Sequence, residues 1–226
     1  MSLAEYKKKR KFGRTPEPEP AKVVAKAAGK KLLYVIQKHR ATSLHYDFRL
    51  EWNGVLLSWA VPKGPSLDPS VKRLAMQVED HPIEYASFEG VIPEGEYGGG
   101  TVMVWDTGTW SPEVPDVDAA LKKGDLKFTL NGKKLHGSWV LVRTRGFGSK
   151  PSWLLIKHRD EYASTEDIEV EEPRSVISKK LLAQIAEEGG GDVAKAATGD
   201  PAPEEESAIS ASGRKRKAAA AGGKRK

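Results

Sequence analysis

The sequence predicts an all-β protein: one β-barrel-like domain with few short helices, flanked by basic, flexible N- and C-terminal extensions. Three observations lead there. Between Leu32 and His158, short apolar or alternating runs are separated by Gly, Pro and Asp, the habit of paired strands. Asn-Gly stands between strand-like runs in Trp52-Asn53-Gly54-Val55 and again in Leu130-Asn131-Gly132-Lys133, a strong hairpin signal. Both ends of the chain change to Lys/Arg clusters with Pro, Ala and Gly, a composition that cannot bury a core.

Residues 1–31 read as an arm. A basic cluster, Lys7 to Lys11, precedes Arg14-Thr15-Pro16-Glu17-Pro18-Glu19-Pro20, whose alternating prolines forbid regular helix or interior strand. Residues 32–177 form the body. Candidate strands are Leu32–Lys38, Leu44–Trp52, Val55–Val61, Arg73–Glu79, Ala86–Glu89, Gly100–Asp106, Gly108–Pro112, Leu126–Leu130, Gly137–Arg143 and Trp153–His158. So many strands in about 130 residues fit a barrel or sandwich better than a helical layer fold. One helix is expected inside the body, Asp116 to Lys123, stopped by Gly124. Residues 178–226 begin with a short amphipathic helix to Glu188, with Ser178 as its N-cap. Gly189-Gly190-Gly191, an acidic stretch and a basic terminus follow, and disorder is expected there.

Composition narrows the function. The 226 residues include no cysteine, which excludes disulfides, zinc-thiolate sites and cysteine nucleophiles. No apolar run approaches the roughly 18 residues of a membrane span, and the polar start Met1-Ser2-Leu3-Ala4-Glu5 lacks a signal peptide's apolar region. A chain without a membrane partner is expected. The net charge of +6 divides unevenly: +7 over residues 1–31, −2 over 32–186, −6 over 187–206 and +7 over 207–226, counting Lys and Arg against Asp and Glu. Two basic ends around a near-neutral body suit a polyanionic partner.

The densest chemistry lies between Gln37 and Arg49. His45, Asp47 and Arg49 take one parity, and Leu44, Tyr46, Phe48 and Leu50 the other, so three polar groups share a strand face while the apolar four enter a core. A turn through Ala41 to Ser43 folds His39, delivered with Gln37 by the preceding strand, back beside His45 and Asp47. Two imidazoles and a carboxylate can ligate a divalent ion and leave positions for water or substrate, with Mn²⁺, Zn²⁺ and Fe²⁺ all acceptable. A second cluster, Arg73, Gln77, Glu79 and His81, shares a parity opposite Leu74, Met76 and Val78. Arg49, Arg73 and His81 tilt the chemistry toward phosphate. A non-catalytic nucleic-acid-binding barrel and a non-haem iron oxygenase are the alternatives. Arg143 and Lys157 are candidates for phosphate contact or for edge salt bridges, and His136 and His158 for ordinary surface positions.

The run Gln37-Lys38-His39-Arg40-Ala41-Thr42-Ser43-Leu44-His45-Tyr46-Asp47-Phe48-Arg49-Leu50 is followed by Trp59-Ala60-Val61-Pro62-Lys63-Gly64-Pro65, by Val78-Glu79-Asp80-His81-Pro82, and by Phe88-Glu89-Gly90-Val91-Ile92-Pro93-Glu94-Gly95-Glu96-Tyr97-Gly98-Gly99-Gly100. Together these strings resemble the 3′-phosphoesterase family, the module of bacterial DNA ligase D and of free-standing bacterial and archaeal proteins. The likeness covers roughly residues 5–165.

The resemblance implies a β-barrel that uses Mn²⁺ to heal DNA 3′ ends, or primer ends that finish in ribonucleotides. It would remove a terminal ribonucleoside and then the 3′-phosphate. It also implies metal ligation by His39, His45 and Asp47, contact of Arg49 and His81 with the reacting phosphate, and supporting roles for Gln37, Arg73, Glu79 and Tyr85. Arg10, Phe12, Thr15, Glu17 and Pro18 match a family motif in the arm, where Arg10 and Glu17 would assist catalysis. Lys11 departs from it, standing where the family typically carries Asp, and bears on the phosphatase step. The implied setting is a monomer in the cytoplasm at the nucleoid, acting on DNA or DNA/RNA primer-template 3′ ends in break repair beside a separate ligase, polymerase and Ku. The glycines after Glu94 lack the Gly-Lys-Ser/Thr ending of a Walker loop and read as a tight turn.

Overall fold

The computed structural model describes residues 2–21, 31–144 and 152–202. The expected all-β class is observed, built from nine strands: β1 Leu32–Arg40, β2 Leu44–Trp52, β3 Val55–Val61, β4 Arg73–His81, β5 Gly90–Ile92, β6 Gly100–Pro112, β7 Asp125–Gly132, β8 His136–Arg143 and β9 Ser152–Lys157. Neighbours run β1-β2-β3-β4-β9-β8-β7-β6, and β6 pairs back onto β1, closing an eight-stranded antiparallel barrel. Closure removes the open edges that invite mispairing. The short β5 adds to β6 outside the closed ring.

Two cores follow from strand alternation. The lumen is packed with Trp59, Trp105, Trp139, Trp153, Phe48, Phe128, Tyr34 and Tyr46, all essentially buried. A smaller core lies on the outer wall, where Val35, Leu56, Val102 and Val104 are covered by Tyr6, Tyr85, Phe88 and Ile92. Tyr6 belongs to α1, Leu3–Lys8, in the arm. Six residues are too few for a helix to stand alone in water. Burial of the Tyr6 ring, worth about 2 kcal/mol, and its hydroxyl's 2.8 Å bond to the Pro18 carbonyl dock the segment instead. The prolines do exclude helix from residues 16–20, but the residues before them form one on meeting the barrel.

Several elements differ from expectation. Gly100–Pro112 is one strand rather than two, with β5 against its first residues and β7 against its last. A 3₁₀ turn occupies Ile83–Ser87 where a strand was expected over Ala86–Glu89. The helix over the body is α2, Val117–Lys123, with Asp116 capping the Ala119 amide and Gly124 in the left-handed region, as the sequence implies. Asn53 and Gly54 both take positive φ in the β2–β3 hairpin, the pattern of a type I′ turn. The second Asn-Gly behaves otherwise. β7 runs through Gly132, and the amides of Lys133, Lys134 and Leu135 donate to the buried Asp106 carboxylate, which also accepts from the Tyr34 hydroxyl. A Cβ at Gly132 would strike that hydroxyl, so glycine is needed there for close approach.

Past α3, Ile168–Glu171, the helix expected from Ser178 begins later, as α4, Leu182–Glu188. The Ser175 hydroxyl takes the amides of Ile177 and Ser178 into a turn, which keeps those residues out of the helix. The disorder expected beyond Gly189 gives way to α5, Val193–Ala197. Leu182, Ile185, Ala186 and Ala196 join the lumen core, and the Asp200 carboxylate caps the Leu182 and Ala183 amides from 18 and 17 residues away. Composition does not reveal a cap supplied from so far along the chain. The basic C-terminal cluster lies outside the described residues.

Lys38 and Tyr46 approach the acidic α3, where burial, together with Asp167, raises the Glu169 carboxyl to about 7 against the pull of Tyr46 and Lys38. A folded-state value above the ordinary 4.5 means that stability is fullest below pH 4.5 and declines as pH rises through about 7. Glu169→Gln should flatten the urea midpoint across that window. Asp106→Ala, which strands several amides and a hydroxyl, should cost about 3 kcal/mol in the same measurement.

Candidate active site

The β1–β2 pairing sets His39 opposite His45 and Gln37 opposite Asp47, all on the outer wall of the barrel. The His39 Nε2 lies 2.8 Å from the Gly98 carbonyl and donates to it, so Nδ1 keeps its lone pair and faces Asp47 Oδ2 at 3.7 Å. His45 uses the other tautomer: Nδ1 donates to the Ser43 carbonyl at 3.1 Å and Nε2 faces the same Oδ2 at 3.7 Å. Candidate ligand atoms of the three residues lie within 4.8 Å of one another. Two imidazole nitrogens and one carboxylate oxygen aimed at a common point, each ring fixed by a backbone carbonyl behind it, form a donor set suited to a divalent transition ion.

Cations surround this point. Arg49, 2% exposed, donates through Nε to the Gln37 amide oxygen at 2.8 Å and through Nη1 to Ser58 Oγ at 2.9 Å, while Nη2 lies 3.1 Å from Asp47 Oδ2. The Gln37 amide nitrogen donates to the Tyr85 and Phe88 carbonyls, so one side chain ties the 3₁₀ turn to the guanidinium. Burial opposes ionisation of Asp47, but Arg49 and His45 outweigh it and hold the carboxyl well below its ordinary range. His81 sits between two guanidinium groups, with Arg49 Nη1 2.9 Å from Nδ1 and Arg10 Nη2 3.3 Å from Nε2. Burial, then Arg49 and Arg10, press its pKa well below 6.5, so the ring is neutral at physiological pH.

The arm supplies the rest. Arg10 binds Glu17 at 2.7 Å and Glu79 at 3.3 Å, and its guanidinium lies 3.8 Å from the Tyr6 ring centroid. Glu17 also accepts from the Thr15 and Tyr85 hydroxyls. Lys9 bridges Glu79 Oε2 at 2.9 Å and the Tyr97 hydroxyl at 3.2 Å. Lys11 is exposed beside this network.

The result is a cavity of about 250 Å³ whose wall includes Arg10, His39, His45, Asp47, Arg49, Glu79, His81 and Tyr85. Gln37 and Glu17 lie directly behind it. Arg73 is not brought in. The parity shared by Arg73, Gln77, Glu79 and His81 is broken, because the β3–β4 register shifts by one residue between the Ser58–Val78 and Leu56–His81 pairs. A bulge moves the following side chains to the opposite face. Ala75 enters the lumen core, Gln77 accepts from Trp153 Nε1, and Leu74 is exposed, whereas Glu79 and His81 join the outer site. Lys157 is buried, ion-paired with Asp160 and bonded to the Ser138 carbonyl. Arg143 packs toward Trp153 and donates to the Lys122 carbonyl.

Lys9, Ser58, Tyr97 and the Gly98 carbonyl are parts of the site that sequence reading missed. The spacing of Tyr6, Lys9 and Arg10 at i, i+3 and i+4 carried the signal for Lys9, since a single helical turn places all three on one face.

A family model described as the DNA ligase D 3′-phosphoesterase domain matches residues 37–143. The chain belongs to this family. It is 53% identical over 183 residues to the multifunctional non-homologous end joining protein LigD of Pseudomonas aeruginosa, covering 80% of this chain and 22% of that protein. It is 46% identical over 144 residues to the multifunctional non-homologous end joining DNA repair protein LigD of Mycobacterium tuberculosis, 64% of this chain and 18% of that one. The LigD protein of Mycolicibacterium smegmatis is 40% identical over 164 residues, 70% of this chain and 21% of the relative. The chain thus spans about a fifth of the length of these LigD relatives.

Calorimetric titration with Mn²⁺ should show one ion per chain. Binding should vanish in His39→Ala and His45→Ala and persist in Arg73→Ala, whose side chain faces the other side of the wall.

Proposed function

We propose that the protein is a divalent-metal-dependent phosphoesterase that heals DNA 3′ ends, removing terminal ribonucleosides as a phosphodiesterase and 3′-phosphates as a phosphomonoesterase, with Mn²⁺ as the ion. The observation that carries this reading is the juxtaposition of a three-donor cluster, His39, His45 and Asp47, with two buried arginines and a neutral histidine in one cavity. An oxygen-activating site has no use for so many cations, whereas a phosphoester carries oxygens that match both halves of the cavity.

A bound divalent ion would supply Lewis-acid polarisation of a non-bridging phosphate oxygen. The chain's own groups do the remaining work. Arg49 presents its Nη2 edge beside Asp47, and Arg10 approaches from the arm, so charge building on the phosphoryl oxygens meets donors already fixed by Gln37, Ser58, Glu17 and Glu79. Such donors need no reorganisation during the reaction. Negative charge arriving with the substrate offsets the burial and the two guanidinium groups that hold His81 neutral. The ring therefore takes a proton from solvent as the substrate binds and gives that proton to the leaving oxygen as general acid. Tyr85 steadies Glu17, and through it Arg10. Lys11 is exposed rather than part of this cluster, which supports retention of both activities.

The relatives' printed role in non-homologous end joining supports a place for this chain in double-strand break repair in the cytoplasm, beside a ligase, a polymerase and Ku. No helix among the described residues is long and apolar enough to cross a membrane. The basic ends add sequence-independent affinity for DNA that falls with salt.

The test is a 5′-labelled primer-template ending in one ribonucleotide or a 3′-phosphate, incubated with protein and Mn²⁺. Shortened or dephosphorylated ends are expected, lost by roughly a thousandfold or more in His39→Ala and by about a hundredfold in Arg49→Lys. Chelation should abolish activity and Mn²⁺ should restore it. Equal activity in wild type and His39→Ala would refute the reading.

A further inference from the structure

Tyr97 is the exposed aromatic residue of the site. It is 48% exposed, yet it lines the same cavity as His39, Asp47, Arg49 and His81. Tyr162, also exposed, differs in that its ring packs on His136. The turn that presents Tyr97 is firmly set: Gly95 and Gly98 adopt positive φ on either side of it, and the Gly98 carbonyl holds His39. Lys9 fixes the ring, bonding its hydroxyl and lying 4.7 Å from its centroid, and the Arg10 guanidinium stands 5.6 Å away. A single-stranded nucleic acid needs two features close together, cations for its phosphates and a π face for its bases, and both occur at this rim. An exposed ring held in one orientation binds a base without first losing freedom of its own.

We propose that Tyr97 is the stacking platform for one nucleobase of the bound strand, that of the nucleotide whose 3′ oxygen carries the reacting phosphate. This assignment rests on the phosphoesterase reading. The nucleotide in question is retained when a terminal ribonucleoside leaves and again when a 3′-phosphate leaves, so its base is the one the two reactions have in common. Stacking accepts every base, so the platform confers position without sequence preference.

Steady-state kinetics on a 3′-phosphate primer-template tests this. Tyr97→Ala should raise KM on the order of tenfold and leave kcat within about twofold, while Tyr97→Phe and Tyr97→Trp stay within about threefold of wild type. Replacing the 3′-phosphate-bearing nucleotide with an abasic one should raise the wild-type KM equally and cost Tyr97→Ala nothing further. 2-Aminopurine at that position should be quenched on binding to wild type and remain bright with Tyr97→Ala. Penalties that multiply between variant and abasic substrate would overturn the proposal. So would a loss confined to kcat, or an equal loss on p-nitrophenyl phosphate, which has no base; the ring would then merely prop the turn behind His39. If wild type quenches 2-aminopurine in a Tyr97-dependent way but processes no 3′ end, the platform stands and the phosphoesterase reading fails. If ends are processed without Tyr97-dependent quenching, the platform fails alone.

Discussion

The antiparallel register that sets His39 against His45 and Gln37 against Asp47 is the constraint on which the rest of the site depends. A slip of one residue would send His45, Asp47 and Arg49 into a lumen of tryptophans and expose Tyr46 and Phe48. Closure of the barrel prevents it. Both edges of β1 are paired, to β2 and β6, and both edges of β2, to β1 and β3, so neither strand can slide without breaking two ladders. The ligand geometry is thus set by the same hydrogen bonds and core packing that hold the fold together.

The second constraint is electrostatic. Asp47, Arg49, Glu79, His81, Arg10 and Glu17 are all nearly removed from water, and isolated charges in that position would cost several kcal/mol each. Each cation therefore faces a carboxylate: Arg49 with Asp47, and Arg10 with Glu17 and Glu79. Part of that compensation comes from the arm, which makes α1 and the segment through Glu17 a wall of the site rather than a tether. The arm has few apolar residues, but Tyr6 and Phe12 anchor it against the outer core.

Division of labour between the two faces of the wall explains why Arg73 and His81, eight residues apart on one strand, have different surroundings. The β4 bulge turns Glu79 and His81 outward and leaves Ala75 and Gln77 in the lumen. α4 and α5 add their apolar residues to the lumen core, and Thr198 bonds Arg40 at the end of β1, next to the metal-ligand candidate His39. The C-terminal segment thereby braces the hairpin that carries both histidines.

The sequence by itself determined the β class, most strand positions, the capped helix α2 and the grouping of His39, His45, Asp47 and Arg49, because strand alternation and a short turn act over a few residues and leave a direct periodic trace. Tertiary structure decided what that trace could not carry. It closed the barrel, shifted the β4 parity with a bulge, folded the arm's first turn around Tyr6, ordered residues 189–202 through the Asp200 cap and brought Tyr97 and the Gly98 carbonyl to the rim. The physical reason is distance along the chain. An interaction between residues 18 or 70 positions apart leaves no local pattern, and its partners are fixed only when the core that brings them together has formed.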